Sequence, residues 1–433
     1  EWASDDAETA VLKVLVDNNA PGITLDSTAS DVADYLSKIT DTTDTTSLPQ
    51  SSILNKIALA VEKSVTATGD SFAAGRAFTT TSAGYYLFMT DTDSLSANEK
   101  QTGTSPIFAV VGGNAVVVTE KTSIPTVTKQ VKDDGADNDW KYKADSQMGQ
   151  TVQYKLTGTV ASNVDTFSTY YYEFHDELSA GLTVDKSTVK AVIGETQITP
   201  TSVTVSDPDS NGRTVLSVKF DDLKAAATAA GVTVGEHTRV VVTYSAKLDP
   251  NKSQHVVVGG TGNSNTVKLI YSNNPGHDSR GESVPDTVRD YTYALKLVKK
   301  DATDENKILK GVKFTIRATD PDDIASKDMY VQENGSLDTE AYEFTTTDSG
   351  EINVKGLDAG TYTVKETHTL AGYNTIPEFT FTIKAIGFNQ AEGEGENKIT
   401  VETSTRGSNL VEVDTTNTDN GTAALIVKNK QGS

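Results

Sequence analysis

Four residues open the chemistry of this 433-residue chain: Lys129, Asn265, Lys299 and Asn429. Lys129 lies in Val127-Thr128-Lys129-Gln130-Val131, which reads as the first strand of a β module. Asn265 lies in Asn263-Ser264-Asn265-Thr266-Val267, which reads as its last. Lys299, in Leu295-Lys296-Leu297-Val298-Lys299-Lys300-Asp301, and Asn429, in Ile426-Val427-Lys428-Asn429-Lys430, stand in the same relation in a second module. First and last strands of a β-sandwich are often neighbours, so each Lys can meet an Asn. A buried carboxylic acid beside such a pair completes a reaction. Burial lowers the lysine pKa and yields a neutral amine nucleophile. Burial raises the carboxyl pKa, so the acid stays protonated and polarises the Asn carbonyl. The acid then shuttles protons as ammonia leaves, and the product is a Lys–Asn isopeptide bond. The plainer reading of the same residues is a solvated edge lysine that blocks aggregation and an asparagine serving a turn.

Composition removes most other chemistries. The chain has no Cys, which excludes disulfides, thiolate metal sites, cysteine nucleophiles and thioesters together. Its five histidines, His175, His237, His255, His277 and His368, show no H-E-x-x-H spacing, so the sequence proposes neither a metal site nor a cofactor. Lys plus Arg number 38 against 60 Asp plus Glu, a net charge of −22 that repels phosphate backbones and anionic lipid. Neither a nucleic-acid nor a membrane partner is expected, and no run of 18 apolar residues offers a membrane span. A secreted hydrolase would need a nucleophile motif such as G-x-S-x-G, and there is none. Asp207-Pro208-Asp209-Ser210-Asn211-Gly212 begins like a calcium loop but has Val218 where Glu is required, so it reads as a turn. The acidic stretch Asp133–Asp139 reads as a solvated loop, Tyr170-Tyr171-Tyr172 as core, and Gly259-Gly260-Thr261-Gly262 as a glycine-rich turn.

The elements that must position these residues follow from periodicity. Ile53, Ile57 and Val61 share one face of an amphipathic helix over 52–65, with Ser51 or Ser52 as N-cap, and 7–16 and 32–39 are shorter helix candidates. Gly84–Met89, Ile107–Val111 and Ala115–Val118 read as strands. From Ile124 onward helical periodicity gives way to short alternating segments separated by turns, with one short helix at 222–230. The turn-rich stretch from Asn273 to Pro285 reads as a boundary, and a second all-β pattern runs from Tyr291 to Val427. The fold class is therefore mainly β: an α+β module over 1–123, then tandem Ig-like β-sandwiches over 124–286 and 287–433.

The third module resembles the Cna B-type (SpaA-like) domain of Gram-positive surface proteins. The resemblance rests on Lys299-Lys300-Asp301, Leu309-Lys310-Gly311-Val312-Lys313-Phe314, Asp348-Ser349-Gly350-Glu351-Ile352, Gly356-Leu357-Asp358-Ala359-Gly360-Thr361-Tyr362, Glu366-Thr367 and Ala371-Gly372-Tyr373. It implies Lys299 and Asn429 as a bonded pair and Glu366 as the catalytic acid. The middle module resembles the Cna A-like domain of major (backbone) pilins through Pro125–Lys129, Gly149–Tyr154, His175–Leu182 and Asn265–Pro275. That resemblance pairs Lys129 with Asn265 and makes Asp176 the acid, with Glu173 and Glu177 as near competitors.

Backbone pilins carry a Tyr-Pro-Lys-Asn step between their first two modules, and its Lys joins the sortase-cleaved C-terminus of the next subunit. Lys121 matches in place, in a short connector where an accessible amine is expected; Lys132 is the next lysine to consider. Thr119 and Glu120 replace the Tyr and Pro, and Thr122 replaces an Asn that closes an internal bond in some first modules. No Leu-Pro-x-Thr-Gly sorting signal is present, but Asn429-Lys430-Gln431-Gly432 is the usual lead-in to one, so a processed chain is expected at both ends. The resemblance implies the shaft subunit of an extracellular, cell-wall-anchored pilus. Its partners would be neighbouring pilin subunits, a pilin-specific sortase and minor pilins. Self-crosslinking would be single-turnover and not enzymatic in the usual sense. The rival is a wall-anchored or tip adhesin that has the same sandwiches, binds a host ligand and makes no use of Lys121.

Overall fold

A computed structural model describes the chain except residues 40–46, 68, 98, 133–138, 387–397, 405–408 and 433, so the acidic loop expected at 133–139 lies almost wholly outside the described residues. The first module opens with α1 (Asp5–Asp17). Ser4 caps it by accepting from the Ala7 amide, and Asp5, Asp6 and Glu8 complement the dipole in its first turn. A reciprocal Thr28/Asp31 capping box starts α2 (Ala29–Ser37), and Ser52 caps α3 (Ile53–Ser64). The three helices bury Leu12, Leu15, Val32 and Ile57 in one small cluster. Strands β1 (Gly84–Phe88) and β2 (Ile107–Val111) form an antiparallel pair. The third strand expected here, Ala115–Val118, does not form, and Val117 is 91% exposed. β-Branched residues favour a strand only where a neighbouring strand and a packing face receive them, and this segment has neither.

The middle module is a sandwich of two mainly antiparallel sheets. One contains β3 (Val127–Lys132), β4 (Thr151–Thr159), β6 (Leu182–Ile193) and β8 (Arg239–Leu248), in the order β3-β4-β8-β6. The other contains β5 (Tyr172–Leu178), β7 (Thr214–Phe220), β9 (Asn263–Ser272) and β10 (Asp286–Tyr291), in the order β7-β5-β9-β10. A short helix, α4 (Leu223–Ala229), lies between β7 and β8 as its sequence suggested. Strict alternation in β9 sends Asn263, Asn265, Val267, Leu269 and Tyr271 into the interior.

The third module pairs β11 (Tyr293–Asp301), β13 (Glu351–Leu357), β17 (Val411–Asp414) and β18 (Thr422–Asn429) in the order β13-β11-β18-β17. Opposite it lie β12 (Lys313–Pro321), β14 (Gly360–His368), β15 (Phe379–Ile386) and β16 (Lys398–Thr403), paired in that order. The division expected after residue 286 falls inside the middle sandwich. β10 pairs with β9 and buries Val288 in the middle core, so the chain crosses between sandwiches at Thr292. The turn-rich 273–285 stretch instead folds back on the first module, where Asn273 accepts from the Gly103 amide and His277 meets Glu62 at 2.5 Å. At the joint of the two sandwiches, Gln147 donates to the Gly335 carbonyl at 2.7 Å and accepts from the Asp358 amide and the Tyr362 hydroxyl, each at 3.0 Å.

Candidate functional site: two buried Lys–acid–Asn clusters

In the middle module the alternation of β3 turns Lys129 inward, between Val127 and Val131, and leaves its side chain fully buried. On the facing sheet, β5 turns Asp176 inward with Phe174 and Leu178. The two ends meet: Lys129 Nζ donates to Asp176 Oδ1 at 2.6 Å and Oδ2 at 2.7 Å, and to the Tyr244 hydroxyl at 2.9 Å. Tyr244, on β8, donates to Asp176 Oδ2. The ammonium sits in an aromatic slot, 5.2 Å from the ring centre of Tyr154 and 5.4 Å from that of Tyr244, and the two rings are stacked 5.3 Å apart. Burial lowers the Lys129 pKa, against the opposing pull of Asp176 and of Asp286, which accepts from the Lys129 backbone amide at 2.7 Å. The β9–β5 register sets Val267 opposite Asp176 and Asn265 opposite Leu178, so Asn265 is one inward position along from the acid. Its amide is fully buried, and neither Oδ1 nor Nδ2 has a hydrogen-bond partner among the described residues.

The competitors of Asp176 point elsewhere. Glu173 and Glu177 occupy the outward positions of the same strand. Glu173 accepts from the Tyr171 hydroxyl at 2.5 Å and lies 3.3 Å from His175, while Glu177 pairs with Arg213 at 2.8 Å.

The third module assembles a lysine, an acid and an asparagine differently. β11 and β18 are parallel neighbours, with Val427 opposite Lys299 and Asn429 opposite Asp301. Lys299 Nζ donates to Asn429 Oδ1. The Asn429 amide donates to Glu366 Oε1 at 2.6 Å and to the Thr369 hydroxyl at 2.7 Å. Glu366 reaches in from β14 on the opposite sheet, 3.6 Å from Lys299 Nζ, and its second oxygen accepts from the Ile376 amide at 3.2 Å. Lys299 lies over the Phe314 ring at 5.6 Å, and burial pushes its pKa down to about 8 in spite of Glu366. Asp301 ties down the chain end: it accepts from the Tyr373 hydroxyl at 2.7 Å and from Gln431 at 3.0 Å. The Asp304 backbone amide above all, then Tyr373, the Thr303 amide and Gln431, hold its carboxyl far below the usual range.

With this geometry in view, the likeness to known proteins is informative. Residues 294–398 match the family model described as the SpaA prealbumin-like fold domain. The T6 backbone pilin of serotype M6 Streptococcus pyogenes, described as a modular three-domain structure, superposes with a TM-score of 0.56 at 16% identity, over 91% of each chain. The chain has the fold of a three-domain backbone pilin. Two more distant likenesses are the major pilin GBS80 fragment of Streptococcus agalactiae and full-length SpaD of Corynebacterium diphtheriae. GBS80 gives a TM-score of 0.45 at 20% identity, over 60% of this chain and 91% of that one. SpaD gives 0.45 at 18% identity, over 76% and 75%. No curated protein matches the sequence.

Within this pilin-like fold Lys121 sits where the first module meets the second, but it is half-buried and not the freely exposed connector lysine expected. Its backbone is fastened on both sides: its amide donates to Thr104 Oγ1 at 2.8 Å and its carbonyl accepts from the Ser105 amide at 3.2 Å. Lys132 lies 5.2 Å from the Trp140 ring centre. The sequence reading missed Tyr244 and Thr369. Tyr244 left a signal, since Val240, Val242, Tyr244 and Ala246 alternate into the core and a buried tyrosine needs a partner for its hydroxyl. Thr369 follows β14 in a turn, and nothing in its neighbours marks it.

Proposed function

We propose that this chain is the shaft subunit of a covalently polymerised surface pilus, extracellular and anchored to the cell wall, and that its two sandwiches are each closed by an autocatalytic isopeptide bond. The bonds are Lys129–Asn265, with Asp176 as the acid, and Lys299–Asn429, with Glu366 as the acid. The observation that carries this reading is the Lys–acid–Asn set buried in each of the two sandwiches, with the Asn265 amide lacking any hydrogen-bond partner among the described residues. A buried orphan amide costs about 1–3 kcal/mol per unsatisfied group, and its reaction with a neighbouring amine supplies the missing reason for it. In the third module the chemistry runs through groups already in contact. Lys299 gives one proton to Glu366, and the neutral amine attacks Cγ of Asn429. Glu366, which already touches Nδ2, protonates it as the C–N bond breaks to release ammonia, and the second proton of the attacking nitrogen passes to the carboxylate, which ends as the neutral acid. Each bond ties together strands far apart in sequence, 136 positions in one module and 130 in the other, so tension along a filament cannot pull those strands apart.

Head-to-tail growth is a heterologous contact that extends and does not close. Lys121 is the proposed acceptor for the C-terminus of the next subunit, delivered by a pilin-specific sortase, with minor pilins as further partners. Intact mass tests the internal bonds. The purified chain should weigh two ammonias less than its sequence, and peptide mapping should recover the two crosslinked pairs. An unmodified mass overturns the proposal. Lys121→Arg keeps the charge and removes the nucleophile. Co-expressed with the sortase it should yield monomers only, whereas a normal high-mass ladder assigns the linkage to another lysine, Lys132 first.

A further inference from the structure

Among the described residues, the Tyr244 hydroxyl is the one neutral group that touches both the amine and the acid of the middle cluster, accepting from Lys129 Nζ at 2.9 Å while donating to Asp176 Oδ2. Nothing comparable stands beside Lys299, whose polar contacts among the described residues are Asn429 and Glu366. Asp176 has two tasks in bond formation. It must take a proton from the Lys129 ammonium, and it must deliver one to the departing Asn265 nitrogen. Its two oxygens are held differently: both receive Lys129, and Oδ2 alone also receives Tyr244.

We infer that Tyr244 is a catalytic residue of the middle module, relaying the second amine proton to Asp176 during formation of the Lys129–Asn265 bond. This rests on the isopeptide reading above. First, the Lys129 ammonium passes one proton to Asp176, giving an amine and a carboxylic acid. The amine then attacks Cγ of Asn265, and its nitrogen, now bonded to carbon, carries one proton too many. That proton moves to the Tyr244 oxygen as the Tyr244 proton moves to Asp176 Oδ2. The other carboxyl oxygen releases its proton to Nδ2, and the Cγ–Nδ2 bond breaks. Tyr244 ends unchanged, Asp176 gains two protons and loses one and so ends as the neutral acid, and the products are the amide and ammonia. Two further observations suit the role. Burial holds the Tyr244 pKa well above that of free tyrosine, so the hydroxyl keeps the proton it must hand on. Stacking on Tyr154 and the fully buried slot fix the ring without help from its hydroxyl.

The third module supplies an internal clock in the same molecule. After cell-free synthesis, the loss of each ammonia is followed by mass spectrometry of peptides from the two modules. Tyr244→Phe should form the Lys129–Asn265 bond about 100-fold more slowly or worse, the range typical of a positioned acid–base group. The Lys299–Asn429 bond should form at the wild-type rate. Incorporating 3,5-difluorotyrosine at position 244 keeps the ring in place while making the hydroxyl more acidic, and should change the middle rate alone. Equal middle-bond rates in wild type and the difluorotyrosine protein, or a Tyr244→Phe chain that closes both bonds at wild-type speed, overturn the relay. A wild-type chain that never loses the middle ammonia overturns the isopeptide reading itself.

Discussion

The two clusters each contain a lysine, a carboxylic acid and an asparagine and connect them in opposite ways. In the middle module the lysine is bound to the acid, through two contacts shorter than 2.8 Å, and the asparagine is left without a partner. In the third module the lysine is bound to the asparagine, and the acid holds the asparagine amide from its far side. Strand topology is the cause. Lys129 and Asn265 come from facing sheets, so the acid beside Asn265 in its own sheet meets the lysine first. Lys299 and Asn429 come from adjacent parallel strands, so they meet each other and the acid arrives from across the sandwich. On the isopeptide reading proposed above, the middle cluster favours proton transfer and the third favours nucleophilic approach. Each also includes a hydroxyl, on a different group: Tyr244 donates to the acid of the middle cluster, and Thr369 accepts from the amide of the third.

This contrast predicts unequal damage when the acids are removed. Asp176→Ala and Glu366→Ala should each abolish one bond, leaving a chain that has lost a single ammonia. Losing a crosslink of this span costs about 5 kcal/mol by the loop-entropy argument. Asp176→Ala also leaves Lys129 buried with Tyr244 as its remaining polar contact, and stranding a buried charge adds about 3–5 kcal/mol. Lys299 keeps Asn429 as an acceptor and already stands 3.6 Å from its acid, so Glu366→Ala should approach the crosslink term alone. Calorimetry of the two variants should show the middle transition falling further than the third. Equal falls, or a larger one for Glu366→Ala, would break the comparison.

The lysines and asparagines could be singled out in the sequence only as residues of first and last strands; spacing left them readable as an edge lysine and a turn asparagine, and it was the family resemblance that paired them. The acids were not legible from spacing. Asp176, Glu173 and Glu177 lie within five residues on one strand, and their roles separate only when the pleat assigns Asp176 inward and sets Glu177 against Arg213. Which strands adjoin was also out of reach. The expectation that first and last strands are neighbours fits β11 with β18, but β3 and β9 belong to different sheets. The strand expected at Ala115–Val118 and the boundary expected at 286 failed for a shared reason. Local composition marks what a segment prefers, while pairing partners decide what it becomes: Val117 has none, and β10 finds β9.

The proton balance of the third cluster gives a pH test. Bond formation needs one proton shared between Lys299 and Glu366. Moving it from the ammonium to the carboxylate does not change the total charge of the pair, so the rate should be flat with pH while that proton is retained. Lys299 releases it to solvent at about 8, because burial lowers its pKa from the free value. Above that pH the amine is neutral but the acid has no proton for the leaving nitrogen. The rate of Lys299–Asn429 formation should therefore hold steady near neutrality and fall about tenfold per unit well above 8. Mass spectrometry of freshly synthesised chain across pH 6.5 to 10 reads this directly. A rate that climbs through pH 8 would mean that the free amine alone limits the reaction and that Glu366 supplies no proton.

The smallest effect belongs to Thr369. Its hydroxyl accepts from Asn429 Nδ2 at 2.7 Å, on the same nitrogen that donates to Glu366 at 2.6 Å. Together the two acceptors fix the rotation of the amide and so aim Oδ1 at Lys299. Thr369→Val keeps the branched shape and removes the acceptor. Asn429 retains Glu366 and the amine retains its approach, so the loss is one ordinary hydrogen bond, about 1 kcal/mol. That corresponds to about a fivefold slower Lys299–Asn429 bond, with full closure at long times and no change in the middle module. Thr369→Ser restores the hydroxyl and should recover most of the rate, which separates the hydrogen bond from the packing of the methyl group. If Thr369→Val closes the bond as fast as wild type, Glu366 alone orients the amide, and the third cluster works with three residues where the middle one uses four.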